Sequence, residues 1–358
     1  MSRMAWMLAA ALVAAPVAVA VAQDRDQAQD QDVVRISGSD VAVYDLAGRV
    51  EVVRGSGSDV VVRITRGGGD ASRLRVETGD IGGRSTLRVI FPDDEIVYPE
   101  LGRGSNSTIS VRDDGTFGDG RMSLRGNRVR IRGSGSGTEA WADLVVEVPT
   151  GRTVATYLGV GRIDANGVDG TVRLDTGSGR VHASDMSGSL VVDTGSGSVE
   201  VRGMDGRLSI DTGSGGVDVE DVTGERVEID TGSGRVDIRG VQTQALNVDT
   251  GSGGVDLTGV SSPSVMVDTG SGGIDLELLT DVDELNLDTG SGSVTVRAPG
   301  NLGGDVDIDT GSGSIDLDFP VEISGRARRD RVRGTLGDGE GEIRIDTGSG
   351  SVRLLRGS

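Results

Sequence analysis

The sequence contains no cysteine, no lysine, one histidine, seven prolines and eight aromatic rings in 358 residues. Without cysteine there can be no disulfide, thiolate metal site or thiol nucleophile. Any core must come from Val, Ile and Leu, whose stiff side chains favour strands. Without lysine all 36 bases are arginines, set against 56 acids for a net charge of −20. That charge repels phosphates and argues against a nucleic-acid partner. Glycine is plentiful instead, at 60 residues, but it has no strict period of three, which excludes collagen.

The first 22 residues read as an export signal: Arg3 opens them, residues 4–21 are apolar, and Ala20 and Ala22 frame an A-x-A cleavage site. No cysteine follows to carry a lipid, and no second apolar span follows to anchor the mature chain. Export to the periplasm, the outer surface or the medium is therefore expected. Residues 23–32 (QDRDQAQDQD) read as a polar spacer.

Self-comparison yields the organising feature. The pentapeptide D-T-G-S-G begins at Asp175, Asp193, Asp211, Asp230, Asp249, Asp268, Asp288, Asp309 and Asp346, at spacings of 18, 18, 19, 19, 19, 20, 21 and 37. Gly159 and Gly161 mark a worn copy 18 residues before Gly177 and Gly179. Apolar residues stand one and three before each Asp, as in Leu208 and Ile210, and six and eight after it, as in Val236 and Ile238. This is the period-2 pattern of half-buried strands. A lone apolar residue stands eleven after the Asp, as Met186, Met204, Val222, Val241, Val260 and Leu279. A propeller blade needs roughly 40 residues, so a unit this short predicts a parallel β-solenoid of about 18–21 residues per turn over residues 151–358. Residues 33–150 predict a less regular β-rich region, interrupted by a polar excursion at 93–135.

These features resemble a bacterial family named putative adhesins, a domain of unknown function built from β-strand repeats. The matching residues are Val41 and Val43 leading to Gly48, Arg49, Val50 and Val52, the lead-in DLVVEVPTG at 143–151, the D-T-G-S-G-x-V-x-V units, and Gly334 to Leu355 as a closing turn. The resemblance implies an exported or envelope-associated solenoid without enzymatic activity, and carries no ligand-binding residues with it.

D-T-G-S is also an aspartic-protease signature, but nine copies at a structural period read as turn chemistry, with glycine giving positive φ and Asp and Ser bonding backbone N–H groups. Calcium is a closer rival, since GSGGVD at 251–256 and GSGGID at 270–275 partly match calcium-binding β-roll repeats. The phase differs, leaving weak, non-dedicated binding by Asp211, Asp218, Asp230, Asp237, Asp249, Asp256, Asp268 and Asp275, with no dedicated cofactor. Stacked carboxylates about 4.8 Å apart repel by roughly 1 kcal/mol per pair in water, so calcium or salt should raise the melting temperature. His182 occupies an outward position with no nucleophile signature beside it. Arg121, Arg125, Arg128, Arg130 and Arg132, and then Arg326, Arg328, Arg329, Arg331 and Arg333, read as outward strand positions, or as contacts to anionic polymers or to another copy.

The expected function is a non-catalytic adhesion, scaffold or interaction surface for a cell-envelope or extracellular polymer or protein. One alternative is a carbohydrate-active β-helix enzyme, disfavoured because Phe319 is the only aromatic carbocycle after Asp164. The other is a self-assembling solenoid, suggested because residues 351–354 end the repeats without an evident cap. Residues 165–320 hold 28 acids and 8 arginines, and the remainder balances at 28 of each. The acidity therefore belongs to the repeats.

Overall fold

The computed structural model describes residues 31–118, 126–324 and 328–357. The export signal, most of the spacer, Arg121, Arg125 and Arg326 lie outside them. Gln31 and Asp32, expected as spacer, open the strand Gln31–Ile36. The described residues contain strands and two short 3-10 turns, with no α-helix.

The repeats wind as a parallel solenoid in which each coil stacks on the next residue for residue. Val181 pairs with Val199, Met186 with Met204, Leu190 with Leu208 and Asp193 with Asp211. The same register continues from Val199 to Val217 and from Val217 to Val236. Val199, Val201, Met204, Leu208 and Ile210 of one coil are all buried, as their alternation requires. Periods of 19 rather than 18 are absorbed at corners, as by the register shift between Asp205 and Arg207. At the longer Asp268 repeat the corner residue changes. Leu278, not the expected Leu279, pairs with Val260 and is buried, and Leu279 is 58% exposed.

The glycines of the pentapeptides have a different reason from the one expected. None of them has positive φ. A Cβ on Gly197 would stand 1.8 Å from the carbonyl oxygen of Gly179, and one on Gly215 would stand 1.9 Å from that of Gly197. The second glycine is therefore demanded by the closeness of the stacked backbones, not by a left-handed corner. In the first five D-T-G-S-G coils the left-handed corner lies ten residues after the Asp, where Asp185, Gly203, Asp221, Gly240 and Gly259 have φ between 53 and 70°. Aspartate and glycine share that position because both tolerate the conformation.

The threonine of each pentapeptide points inward and is buried in all nine copies. The Thr289 hydroxyl donates to Gly272 O at 2.8 Å and that of Thr269 to Gly253 O at 3.1 Å, latching one coil to the one before. In the early coils Oγ1 of Thr194 and Thr212 has no partner. Thr289→Val should therefore cost about 1 kcal/mol, whereas Thr212→Val should be neutral or stabilising. Urea midpoints of the two variants test this, and equal losses would refute the latch.

Coils do not stack in chain order at either end. Residues 40–54 already form a coil, in register with 152–166, so the array crosses the expected boundary at 151. Trp141–Val148 pairs in parallel with the far side of the strand Asp40–Arg54, Val60–Gly67 pairs antiparallel with Trp141–Val148, and Gln31–Ile36 forms the outer edge antiparallel to Val60–Gly67. At the other end Glu342–Thr347 lies between Glu284–Thr289 and Gly304–Thr310, pairing Asp346 with both Asp288 and Asp309. Val352–Arg356 likewise lies between Val294–Ala298 and Ile315–Leu317. The last repeat in sequence is thus the penultimate coil in space. The strand Arg331–Leu336 caps the Asp309 coil by antiparallel pairing with Gly304–Thr310, which corrects the expectation of an uncapped final turn.

The excursion expected at 93–135 is also folded. Asn106–Val111, Asn127–Arg132, Glu95–Val97 and Thr138–Glu139 form a separate four-stranded sheet. Its Ile96, Phe117, Val129 and Ile131, with Tyr98, pack on outward residues of the first two coils, including Ala42, Tyr44, Ala155 and Tyr157. Tyr44 and Tyr157 stack with ring centroids 4.5 Å apart and planes within 5°. Six of the eight rings belong to this second core or its rim.

Candidate functional site

Three outward features result. The first is the column of pentapeptide aspartates, which continues the positions of Tyr44 and Tyr157, since Tyr157 pairs with Asp175. Arginines neutralise its ends. Arg173 reaches Asp193 at 2.8 Å, and Arg331 reaches Asp309 at 3.1 Å, while Arg333 holds Asp307 at 2.8 Å. Between them Asp211, Asp230, Asp249, Asp268, Asp288 and Asp346 have no salt-bridge partner among the described residues. The second feature lies across the corner, where Glu200, Asp218, Asp237, Asp256 and Asp275 form a parallel column headed by His182. The eight aspartates considered for calcium divide evenly between the columns. Among the described residues no three carboxylates or imidazoles converge as a metal site.

Partial burial, and then the flanking aspartates, raise the carboxyls of Asp211, Asp230 and Asp288 above the ordinary 3.8. Asp346 is raised by burial and then by Asp309, and Asp256 by burial, then by Asp237 and Asp275 against the opposing Arg235. Burial pushes Asp45 furthest, well above 3.8. Groups raised on folding hold protons more tightly in the folded state, so their penalty is absent below the unfolded value and grows as pH rises through the folded one. Asp307 and Asp93 are lowered, chiefly by hydrogen bonds from Arg333 and Thr138, and lose their contribution only as pH falls below 3.8. The melting temperature should therefore rise as the pH falls from neutrality toward the ordinary carboxyl range at fixed ionic strength. A maximum at or above neutrality would contradict this.

The third feature is a cleft of about 750 Å³ where the excursion sheet overhangs the solenoid. One wall carries Tyr98, Glu100, Ser105 and Asn106, and the floor carries Gly161, Ser178, Gly179 and Ser196. Arg49, Arg162 and Arg180 stack along it in three successive coils. Arg49 makes two bonds to Glu100, at 3.0 and 2.9 Å, and Arg162 pairs with Asp164 at 2.5 Å. Sequence reasoning missed this ladder, although the Gly-Arg pairs at 48–49, 161–162 and 179–180 mark it once the worn repeats are aligned.

The structure places the remaining sequence candidates elsewhere. His182 faces outward, with Nδ1 3.5 Å from Glu200. Arg130 and Arg132 both approach Glu95, at 3.9 and 3.1 Å. Arg331 and Arg333 face the acidic column of their own chain.

Comparison with known proteins adds the following. No curated protein matches the chain. A solved structure described as a putative cell adhesion protein from Clostridium sporogenes is similar at 9% identity, covering 91% of this chain and 99% of the other, with a TM-score of 0.20. That likeness is too weak to bear on function. The family model described as Toastrack DUF4097 matches residues 119–355. This span holds every D-T-G-S-G coil and about two thirds of the sequence, and the chain belongs to the Toastrack DUF4097 family.

Proposed function

We propose that this chain is an exported, envelope-facing interaction element that binds a repetitive polymer or scaffold and catalyses no reaction. The supporting observation is the solenoid's outward surface, which repeats one chemical group at each coil, about 4.8 Å apart, in the aspartate column. A row of identical groups at fixed spacing suits a partner that is itself periodic, because each added unit gains the same contact. The charge of −20 disfavours nucleic acid as that partner. The stack ends in short antiparallel edge strands, Gln31–Ile36 and Val321–Ile323, which favours a lateral partner over end-to-end assembly.

Incubation of the protein with fractionated cell envelope, with and without calcium, tests the reading. Retention on a polymer fraction without release of reducing ends is expected. Failure to be retained by any fraction would overturn it, and steady release of reducing ends would replace it with an enzymatic one.

A further inference from the structure

Resting on that reading, we propose that the cleft beneath the excursion sheet is a binding site for a glycan segment bearing a sparse carboxylate, with Arg180 as its anchor. The first two arginines of the ladder are engaged, Arg49 by Glu100 and Arg162 by Asp164. Each also has an acid two residues on, Glu51 and Asp164, in register with one another. In the third coil that position is His182, so Arg180 lacks the acid its predecessors have. The next acid in the column, Glu200, is held by Arg202 at 2.5 Å and faces His182. Arg180 is therefore exposed at the cleft with no carboxylate partner among the described residues. A guanidinium offers a planar fork of donors matched to a carboxylate.

The surroundings narrow the ligand further. The cleft is far larger than a simple anion needs, and hydroxyls and an amide from Ser105, Asn106, Ser178 and Ser196 line it. These groups donate and accept hydrogen bonds, as sugar hydroxyls do. Beyond Ser196 the floor runs into the exposed pentapeptide serines Ser214, Ser233 and Ser252, giving a chain room to continue along the coils. The neighbouring acidic columns repel a densely charged polyanion, so the favoured partner carries few carboxylates among many hydroxyls.

Titration calorimetry of the full chain tests the site, using a hexasaccharide with one uronic acid among neutral sugars, its carboxyl-reduced counterpart, and acetate. The acidic hexasaccharide should bind at least tenfold more tightly than the neutral one, with acetate far weaker. Arg180→Ala should lower its affinity at least tenfold with an unchanged melting temperature, and Arg297→Ala, at an exposed arginine near the other end, should not lower it. Equal binding of the acidic and neutral sugars, wild-type binding by Arg180→Ala, binding of acetate as tight as that of the sugar, or no binding of the acidic sugar would each overturn the proposal. Envelope retention that survives Arg180→Ala would leave the broader function standing without this cleft, while loss of all retention by the unaltered protein would remove the broader reading.

Discussion

Gly215→Ala is expected to destabilise the protein by at least ~4 kcal/mol, while Gly216→Ala, one residue away, changes stability by less than ~1 kcal/mol. The added methyl at 215 would stand 1.9 Å from the carbonyl oxygen of Gly197 and 2.6 Å from its carbon. Neither atom can move without separating two coils that are hydrogen-bonded on both sides of the corner. At 216 the nearest heavy atom to a new Cβ is Arg235 O, 3.8 Å away, and the equivalent position in other coils already carries Arg180, Ser198 or Arg235. Replacing Gly216 also removes conformational freedom from the unfolded chain, which favours folding slightly. Chemical denaturation of the two variants checks the contrast. Similar losses at both positions would show that backbone conformation, and not the approach of neighbouring coils, selects glycine here.

Ending the chain after Gly337 should release the Asp309 coil as well as the deleted one. In a solenoid stacked in chain order, such a truncation would remove only the last coil and leave the rest intact. Here Glu342–Thr347 and Val352–Arg356 are paired on both sides, so their loss opens two interfaces. It also removes the buried side chains Ile343, Ile345, Val352 and Leu354, worth roughly 6–12 kcal/mol of gross burial. Residues 304–337 would then keep only the antiparallel pairings of Arg331–Leu336 with Gly304–Thr310 and Val321–Ile323, too little for an independent unit. Limited proteolysis with mass mapping should find a resistant core ending near Arg297. Protection persisting through residue 337 would contradict the interleaved arrangement.

The regular coils were legible in the sequence because burial leaves a period-2 trace, and because identical units must stack in register to bury it. Val199, Val201, Leu208 and Ile210 needed nothing else. The sequence pattern is silent on order in space. A spacing of 37 between Asp309 and Asp346 reads as close to two periods, whereas it spans an antiparallel hairpin and a return into the stack. The excursion sheet was hidden because the arginines flanking Val129 and Ile131 dominate its polarity, while its apolar contacts come from Tyr44 and Tyr157, distant in sequence. The arginine ladder was hidden for a related reason. Arg49 and Arg162 are 113 residues apart and become neighbours only through the out-of-order first coil. The aspartate columns, in contrast, follow directly from the period.

The interleaved ends have a consequence for how such a protein changes length over evolutionary time. With Trp141–Val148 covering the first coil and the C-terminal strands set inside the stack, no coil can be added at either end without displacing a strand that lies out of chain order. The interior has no such restriction, since every coil from Asp193 to Asp268 meets its neighbours in chain order through the same contacts. A tandem duplication of one 18- or 19-residue unit there would lengthen the rod by about 4.8 Å and extend every outward column by one rung. The fold thus behaves as a molecular ruler whose reach is set in the middle and whose ends are fixed.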